Sequence, residues 1–324
     1  MLAVKQKKMT FIRGMHNLHS PDRRSIVTIG SFDGVHLGHQ AILRQVQAKA
    51  KELQLPSVVM VFEPQPQEFF SAEKAPARLM RLREKVETLR DLGIDQVVCI
   101  QFNRALRSLT AEEFVKQVLV KGLATRYLIV GDDFRFGCDR GGDFAMLKKS
   151  GQQYDFDVQD TLTLESGGQR VSSTLVRKIL RQSDFIGASA LLGRPFTIKG
   201  RVVYGQQVGR ELGFPTANVQ LNRYSAPLTG VFAVLVNVGG TIHQGAANVG
   251  IRPTVGDLVK PILEVHLLDF QGDIYGKRIE VEFKHKIREE QKFTTMDSLV
   301  ENIRRDVKDI RAWFSQIKNT ENKT

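Results

Sequence analysis

Cysteine is scarce in this 324-residue chain: Cys99 and Cys138 are the only two, far apart, so no disulfide framework is expected and a reducing compartment fits. No apolar run approaches the length that crosses a bilayer, which argues against a membrane-spanning protein. The opening residues, Met1-Leu2-Ala3-Val4-Lys5-Gln6-Lys7-Lys8, lack the apolar core of a signal peptide, so a cytoplasmic location is expected. A basic tail is also missing. The net charge of +12 divides into seven over the first 188 residues and five beyond. Aromatic residues are not interleaved with basic ones as in a stacking platform for single strands. A diffuse positive field suits small anionic substrates, and no nucleic-acid partner is expected.

What is present is an ordinary globular composition, 42% hydrophobic, over a length that allows two domains with separate cores. The stretch that stands out is Gly30-Ser31-Phe32-Asp33-Gly34-Val35-His36-Leu37-Gly38-His39. It follows the apolar run Ser25 to Ile29 and precedes a helical pattern, so His36 and His39 fall where a strand hands over to a helix N-terminus. Unpaired amide N–H groups and the positive end of the helix dipole favour an anion there, and glycines let backbone approach it closely. Both the P-loop and the G-x-G-x-x-G patterns are absent from this turn. Two other readings stay open: an H-x-x-H metal pair, for which no third ligand is suitably spaced, and a tight-packing turn with no ligand.

From residue 25 to about 192 strand and helix patterns alternate. Ser57 to Phe62 reads as a strand ended by Glu63-Pro64-Gln65-Pro66, Leu82 to Leu92 as a helix stopped at Gly93, and Gln96 to Phe102 as a strand. Thr110 and Glu113 have capping-box spacing, and Tyr127 to Val130 reads as a further strand. The pattern predicts an α/β, Rossmann-like parallel sheet with helices on both faces, whose ligands sit beyond the strands' carboxyl ends. Two more stretches attract attention. Gly131-Asp132-Asp133-Phe134-Arg135-Phe136-Gly137 places two phenylalanines in a charged loop, which favours a ligand wall over a solvated turn. Val171-Ser172-Ser173-Thr174-Leu175-Val176-Arg177 opens a helix on which Arg177 shares a face with Ser173 and Thr174. Near residue 187 the character changes. Short strand-like segments follow, then a helix with Leu299, Ile303, Val307, Ile310 and Phe314 on one face, predicting a small closed β-barrel with a C-terminal helix. In Gly209 to Asn218, Pro215 stiffens a segment that presents Thr216 and Asn218 on one face. Spacing leaves two readings open there: hard oxygen ligands for Mg²⁺, or side chains bonded to their own backbone.

The histidine turn resembles the H-x-G-H nucleotidyltransferase superfamily. Together with Phe62 to Pro66, Gly131 to Gly137 and Val171 to Arg177, it resembles the FMN adenylyltransferase module of bacterial bifunctional FAD synthetase. Ser31 stands where that family usually has asparagine, and Gln65 where it often has histidine. The second half is similar to riboflavin kinase, through G-R-x-L-G-F-P-T-A-N at Gly209 to Asn218 and L-E-V-H-L-L-D at Leu263 to Asp269. The resemblance implies an adenylyltransferase domain over residues 1–187 and a kinase domain over 188–324. It implies His36, His39 and Arg177 as catalytic residues of the first and Glu264 as the base of the second. ATP contacts would be Gly30, Phe32, Asp33, Gly34, Gly38, Ser173, Thr174, Gly209, Arg210 and Gly213. Flavin contacts would be Pro64, Asp133, Phe134, Arg135, Phe136 and Arg288, with Mg²⁺ on Thr216 and Asn218. Expected partners are ATP, riboflavin and FMN, handled by a monomer.

Overall fold

The computed structural model describes residues 9–18, 24–131, 133–161, 164–166, 168–205, 209, 212–221, 223–253 and 259–321. Packing separates two compact units, one of Met1–Pro76 with Leu82–Ser173, the other of Ala77–Arg81 with Thr174–Thr324. Composition places the change at 187, inside the helix Phe185–Leu192, whereas packing divides the chain ahead of that helix. Phe185 joins that helix to the second unit, its ring 5.8 Å from Phe232 and 6.0 Å from Phe283.

The first unit is built on β1 (Thr10–Arg13), β2 (Ser25–Ile29), β3 (Ser57–Glu63), β4 (Gln96–Gln101), β5 (Thr125–Val130) and β6 (Asp157–Asp160). Every neighbouring pair is parallel, in the order β1-β4-β3-β2-β5-β6. All five residues of β2 and the first five of β3 are buried, as continuous apolar runs in a sheet covered on both faces require. The edge strands β1 and β6 are four residues long and largely exposed, too short and too little buried for periodicity to find them. The chain leaves β2 through β3 and β4 in one direction and returns to β5 on the other side. The gap between β2 and β5 is therefore the switch point at which open α/β sheets bind ligands. Helix α1 (Leu37–Leu53) begins there. Around it α2 (Pro66–Phe70), α3 (Leu82–Asp91), α4 (Arg104–Ser108), α5 (Ala111–Phe114) and α6 (Phe144–Tyr154) complete the unit, and beyond α5 the helix widens to π geometry over Val115–Gly122. The Thr110–Glu113 capping box that opens α5 is formed as its spacing predicts.

In the second unit α7 (Ser173–Arg181), whose first residue still belongs to the first unit, and α8 (Phe185–Leu192) lead into an antiparallel closed barrel. The first unit's remaining strands, Glu165–Ser166 and Gln169–Arg170, are β7 and β8, a separate hairpin. The barrel strands are β9 (Thr197–Val203), β10 (Ala217–Val219), β11 (Gly230–Val238), β12 (Thr241–Pro253), β13 (Val259–Leu267) and β14 (Arg278–Arg288), ordered β10-β13-β12-β11-β14-β9. Ala217, Val219, Leu263, Val265, Ala247 and Val249 fill the interior. The residues alternating with them face outward, where α9 (Met296–Glu321) covers Ala233 and Leu268 with Ile310 and Phe314.

Ala77–Arg81 is held within this unit by arginines. Arg177 Nε donates to the Ala77 carbonyl at 2.6 Å, Arg223 Nη1 to that of Arg78 at 2.9 Å, and Arg194 Nη2 to Met80 Sδ at 3.4 Å. Arg81 in turn reaches the Gln220 carbonyl at 3.0 Å and that of Lys199.

Candidate functional site

In the first unit, three of the motifs picked out from sequence lie at the carboxyl ends of three adjacent strands: the histidine turn after β2, Pro64 after β3 and Gly131 to Gly137 after β5. The turn is buried, with Phe32, Asp33, Val35 and His36 each no more than 5% exposed. Its backbone is forced: Phe32 has φ 46° and Val35 φ 41°, which for a β-branched residue is sterically costly, by about 1–3 kcal/mol. Gly38 marks a close approach, since a Cβ there would meet the Val171 carbonyl oxygen at 3.0 Å and the His36 ring at 3.1 Å, tighter than an ordinary contact. Ser173 Oγ donates to the Asp33 carbonyl at 2.8 Å, tying the turn to the start of α7.

His36 is the N-cap of α1, and its Nδ1 accepts from the His39 amide at 3.3 Å. With Nδ1 accepting, the proton of the neutral ring sits on Nε2. The two imidazoles stack with centroids 3.7 Å apart, and Phe32 lies 4.9 Å from His39. Burial first, then the neighbouring His36 and the ammonium of Lys85, hold the His39 pKa well below its ordinary value, so at neutral pH this ring is uncharged. The unfolded chain therefore takes up a proton near pH 6.5 that folded His39 refuses, and stability falls as pH drops through that region. His39→Gln is expected to flatten the fall in the unfolding midpoint between pH 7.5 and 5.5, by up to about 1.4 kcal/mol per pH unit for the one proton removed. An unaltered pH slope in the variant would remove this assignment.

The loop after β5 divides its phenylalanines. Phe136 is 5% exposed and stands between Phe114 at 5.4 Å and Phe134 at 5.8 Å, so it serves the core, and Phe134 is half-buried against the same cluster. Asp133 pairs with Arg170 at 3.6 Å, and Arg135 bonds only the adjacent Phe134 carbonyl among its hydrogen bonds in the described residues. Arg177, 9% exposed, is engaged with Ala77 in the second unit, to which Thr174 also belongs.

Two features here escaped the sequence reading. Lys85 is 1% exposed, yet on a helix reading Leu82-Arg83-Glu84-Lys85 it looks like part of a solvated face. Phe62, Phe69, Phe70 and Phe102 form an edge-to-face cluster with centroids 5.3–5.9 Å apart at the ends of β3 and β4. Arg107 lies over Phe70, which is 60% exposed. The spacing of Phe69 and Phe70 from the prolines was the available signal.

In the second unit one row of the barrel assembles the site. Asn218 of β10 is paired with Glu264 of β13, Glu264 with Asn248 of β12, Asn248 with Val231 of β11, and Val231 with Arg288 of β14. Residues directly opposite in antiparallel strands share a face, so all five project outward from the barrel together. Two residues along, Ala246 is paired with His266, and Thr216 immediately precedes β10. These residues line a cavity of about 380 Å³, closed by Leu212, Phe214, Phe293 and, from α9, Leu299, Ile303, Asp306 and Val307. The α9 stripe read from sequence as one packing face thus does two things: its second half seals the barrel and its first half walls the cavity.

Gly209 lies at this cavity, where a Cβ would meet the Phe214 carbonyl oxygen at 2.5 Å. The Phe214 amide closes the loop on the Gly209 carbonyl at 2.7 Å. Gly213 has φ 83°, and Arg210 lies outside the described residues. His266 Nδ1 is 2.9 Å from the Pro215 carbonyl, holding the segment that carries Thr216. Arg288 lines the cavity, but its fork is directed at Asp306, with Nε and Nη2 each 2.8 Å from a carboxylate oxygen. A second cavity of about 700 Å³ shares Thr216 and includes Tyr204 and Tyr275, stacked with centroids 4.0 Å apart. The hydroxyl of Thr216 and the carboxamide oxygen of Asn218 are hard donors of the kind Mg²⁺ accepts.

The FAD synthetase family model matches residues 18–175 and the riboflavin kinase model residues 192–314. The bifunctional riboflavin kinase/FMN adenylyltransferase of Pseudomonas fluorescens is 52% identical over 94% of this chain and 97% of its own length. That of Escherichia coli is 48% identical over 96% of this chain and 99% of its own. A crystal structure titled as a macrolide-efflux protein from Streptococcus pneumoniae aligns with TM-score 0.75 and 30% identity, over 94% of this chain and all of that one. No helix among the described residues is long and apolar enough to cross a membrane. With both models matched in order and relatives of this identity aligned end to end, the chain belongs to the bifunctional riboflavin kinase/FMN adenylyltransferase family.

Proposed function

We propose that the chain makes FAD from riboflavin in two reactions at two separate sites. The second unit phosphorylates riboflavin with MgATP, giving FMN and ADP; the first transfers AMP from another ATP to FMN, giving FAD and pyrophosphate. The observation that carries the reading is the barrel row that sets the Glu264 carboxylate between Asn218 and Asn248, with Thr216 beside them.

In the kinase, the apolar wall of α9 receives the flavin ring and the ribityl chain runs toward Glu264. An alcohol is a weak nucleophile at neutral pH. Glu264 takes the proton of the 5′-hydroxyl as its oxygen bonds the γ-phosphorus and the bond to the ADP oxygen breaks. Thr216 stands at the wall shared by the two cavities, where the hydroxyl and the γ-phosphate have to meet, and the Tyr204–Tyr275 pair offers a face for adenine. Thr216 and Asn218 would hold Mg²⁺, which when bound neutralises charge on the transferring phosphates.

In the adenylyltransferase the attacking FMN phosphate is already an anion, so no base is needed. Positioning and charge stabilisation do the work. His36 Nε2–H and the amides at the head of α1 hold the triphosphate, while uncharged His39 and the Lys85 ammonium set the field beneath it. Gly30, Gly34 and Gly38 provide the close backbone approach, with Ser173 as a further contact. Pro64, Asp133, Phe134 and Arg135 form the flavin side. We assign this work to a cytoplasmic monomer acting on small molecules; the diffuse charge supports the absence of a nucleic-acid partner.

Incubating purified protein with riboflavin, ATP and Mg²⁺ and following products by liquid chromatography and mass spectrometry is expected to show FMN first and FAD later. Excess EDTA is expected to stop both. FMN without FAD would remove the adenylyltransferase half, and neither product would remove the whole reading.

A further inference from the structure

We infer that Asp306 is a positioning residue for riboflavin: paired with Arg288, it fixes the first half of α9 as the apolar wall of the kinase cavity. The inference rests on the kinase reading of that cavity and assigns a function to a residue in none of the recognised motifs.

Asp306 is 6% exposed and lies on the cavity side of α9. Its two oxygens each take one N–H of the Arg288 fork at 2.8 Å, the planar bidentate geometry that fixes direction as well as distance. The third arm, Nη1, donates to the Glu289 carbonyl at 3.0 Å, and Phe293 lies 5.5 Å from the guanidinium. Arg288 is thereby committed to the helix rather than left to grip a ligand. It also ends the barrel row that carries Glu264, so the pair connects that row rigidly to the helix.

The second half of α9 has its own anchors. Ile310 and Phe314 are buried on the barrel, and Arg311 forks onto Asp269 at 2.6 and 2.8 Å. The first half differs. Leu299, Ile303 and Val307 border the cavity, and of the three Val307 also packs against the cluster of Ala233, Leu268, Ile310 and Phe314. Ahead of Val307 the helix is tied to the barrel by the Arg288–Asp306 pair, so the position of that half depends on it. Removing one partner of such a pair leaves the other buried charge uncompensated. The wall then shifts, and riboflavin loses contact area while Glu264 and Asn218, held by strands, and Thr216 next to β10 stay in place.

The test is steady-state FMN formation by full-length Asp306→Asn, with riboflavin and ATP varied separately. The KM for riboflavin is expected to rise about tenfold or more, with kcat and the KM for ATP within about twofold of the parent. Asp306→Glu, which keeps a forked acceptor, is expected to recover most of the affinity. Ile303→Ala, on the wall but outside the pair, is expected to raise the riboflavin KM similarly, and it keeps the inference testable if Asp306→Asn does not fold. An unchanged riboflavin KM in folded Asp306→Asn would overturn the inference, as would a loss confined to kcat; if Asp306→Asn does not fold, an unchanged riboflavin KM in Ile303→Ala would overturn it. A parent enzyme that forms no FMN would instead overturn the kinase reading beneath it.

Discussion

Glu264→Gln is expected to lower the rate of FMN formation by roughly 10²- to 10⁴-fold, the range that a positioned general base supplies, with little change in the KM for riboflavin or ATP. Glutamine keeps the size and a hydrogen-bonding carbonyl, so the row with Asn218 and Asn248 survives and the loss reads as chemistry. FAD formation from supplied FMN is expected to continue at the parental rate, which also shows that the protein is folded. Stopped-flow or quenched-flow measurement of the first turnover separates the phosphoryl step from product release. A Glu264→Gln enzyme with a normal first-turnover rate would exclude the base role.

His36→Ala is expected to give the mirror result: FAD formation lost and FMN formation kept. Two effects combine at this residue. The donor aimed at the triphosphate disappears, and one preorganised donor to developing charge is worth roughly 10²- to 10³-fold. The cap of α1 disappears as well, at about 0.5–2 kcal/mol, which loosens the amides that would hold the same phosphates. His36→Asn separates the two, because asparagine caps a helix well but does not place a donor where Nε2 stands. Expected activities with FMN and ATP are therefore low for both variants, with α1 restored in thermal stability only for asparagine. If either variant also lost FMN formation while folded, the separation of the two sites would fail.

The parallel sheet and the barrel were both legible because buried strands announce themselves locally. Ser57 to Phe62 is an unbroken apolar run, and Thr110 with Glu113 states a helix start in four residues. The edge strands Thr10–Arg13 and Asp157–Asp160 carry no such signal, since an edge needs less burial. The candidate kinase residues were legible as motifs, but their assembly was not: Asn218, Glu264 and Asn248 meet through strand register, which no local pattern fixes. Charged residues take their places from partners far along the chain: the Arg288 fork is turned to Asp306, and Lys85 is buried on a helix whose sequence looks solvated. The Gly131 to Gly137 loop shows the same limit for aromatics, because burial of Phe136 depends on Phe114, which is 22 positions earlier.

The five residues Ala77–Arg81 bear on whether these two activities could ever be inherited as separate proteins. The chain enters the barrel unit, leaves it, and enters again for good at Thr174, so a single break in the gene cannot give each product its whole fold. A second-half protein begun at Thr174 would lack the carbonyls of Ala77 and Arg78 that Arg177 and Arg223 now bond, at a cost of about 1–3 kcal/mol for each buried donor deprived. A first-half protein would carry a detour of five residues with its packing surface missing. Fission of this gene would have to be accompanied by a graft, a copy of that short segment supplied to the kinase product.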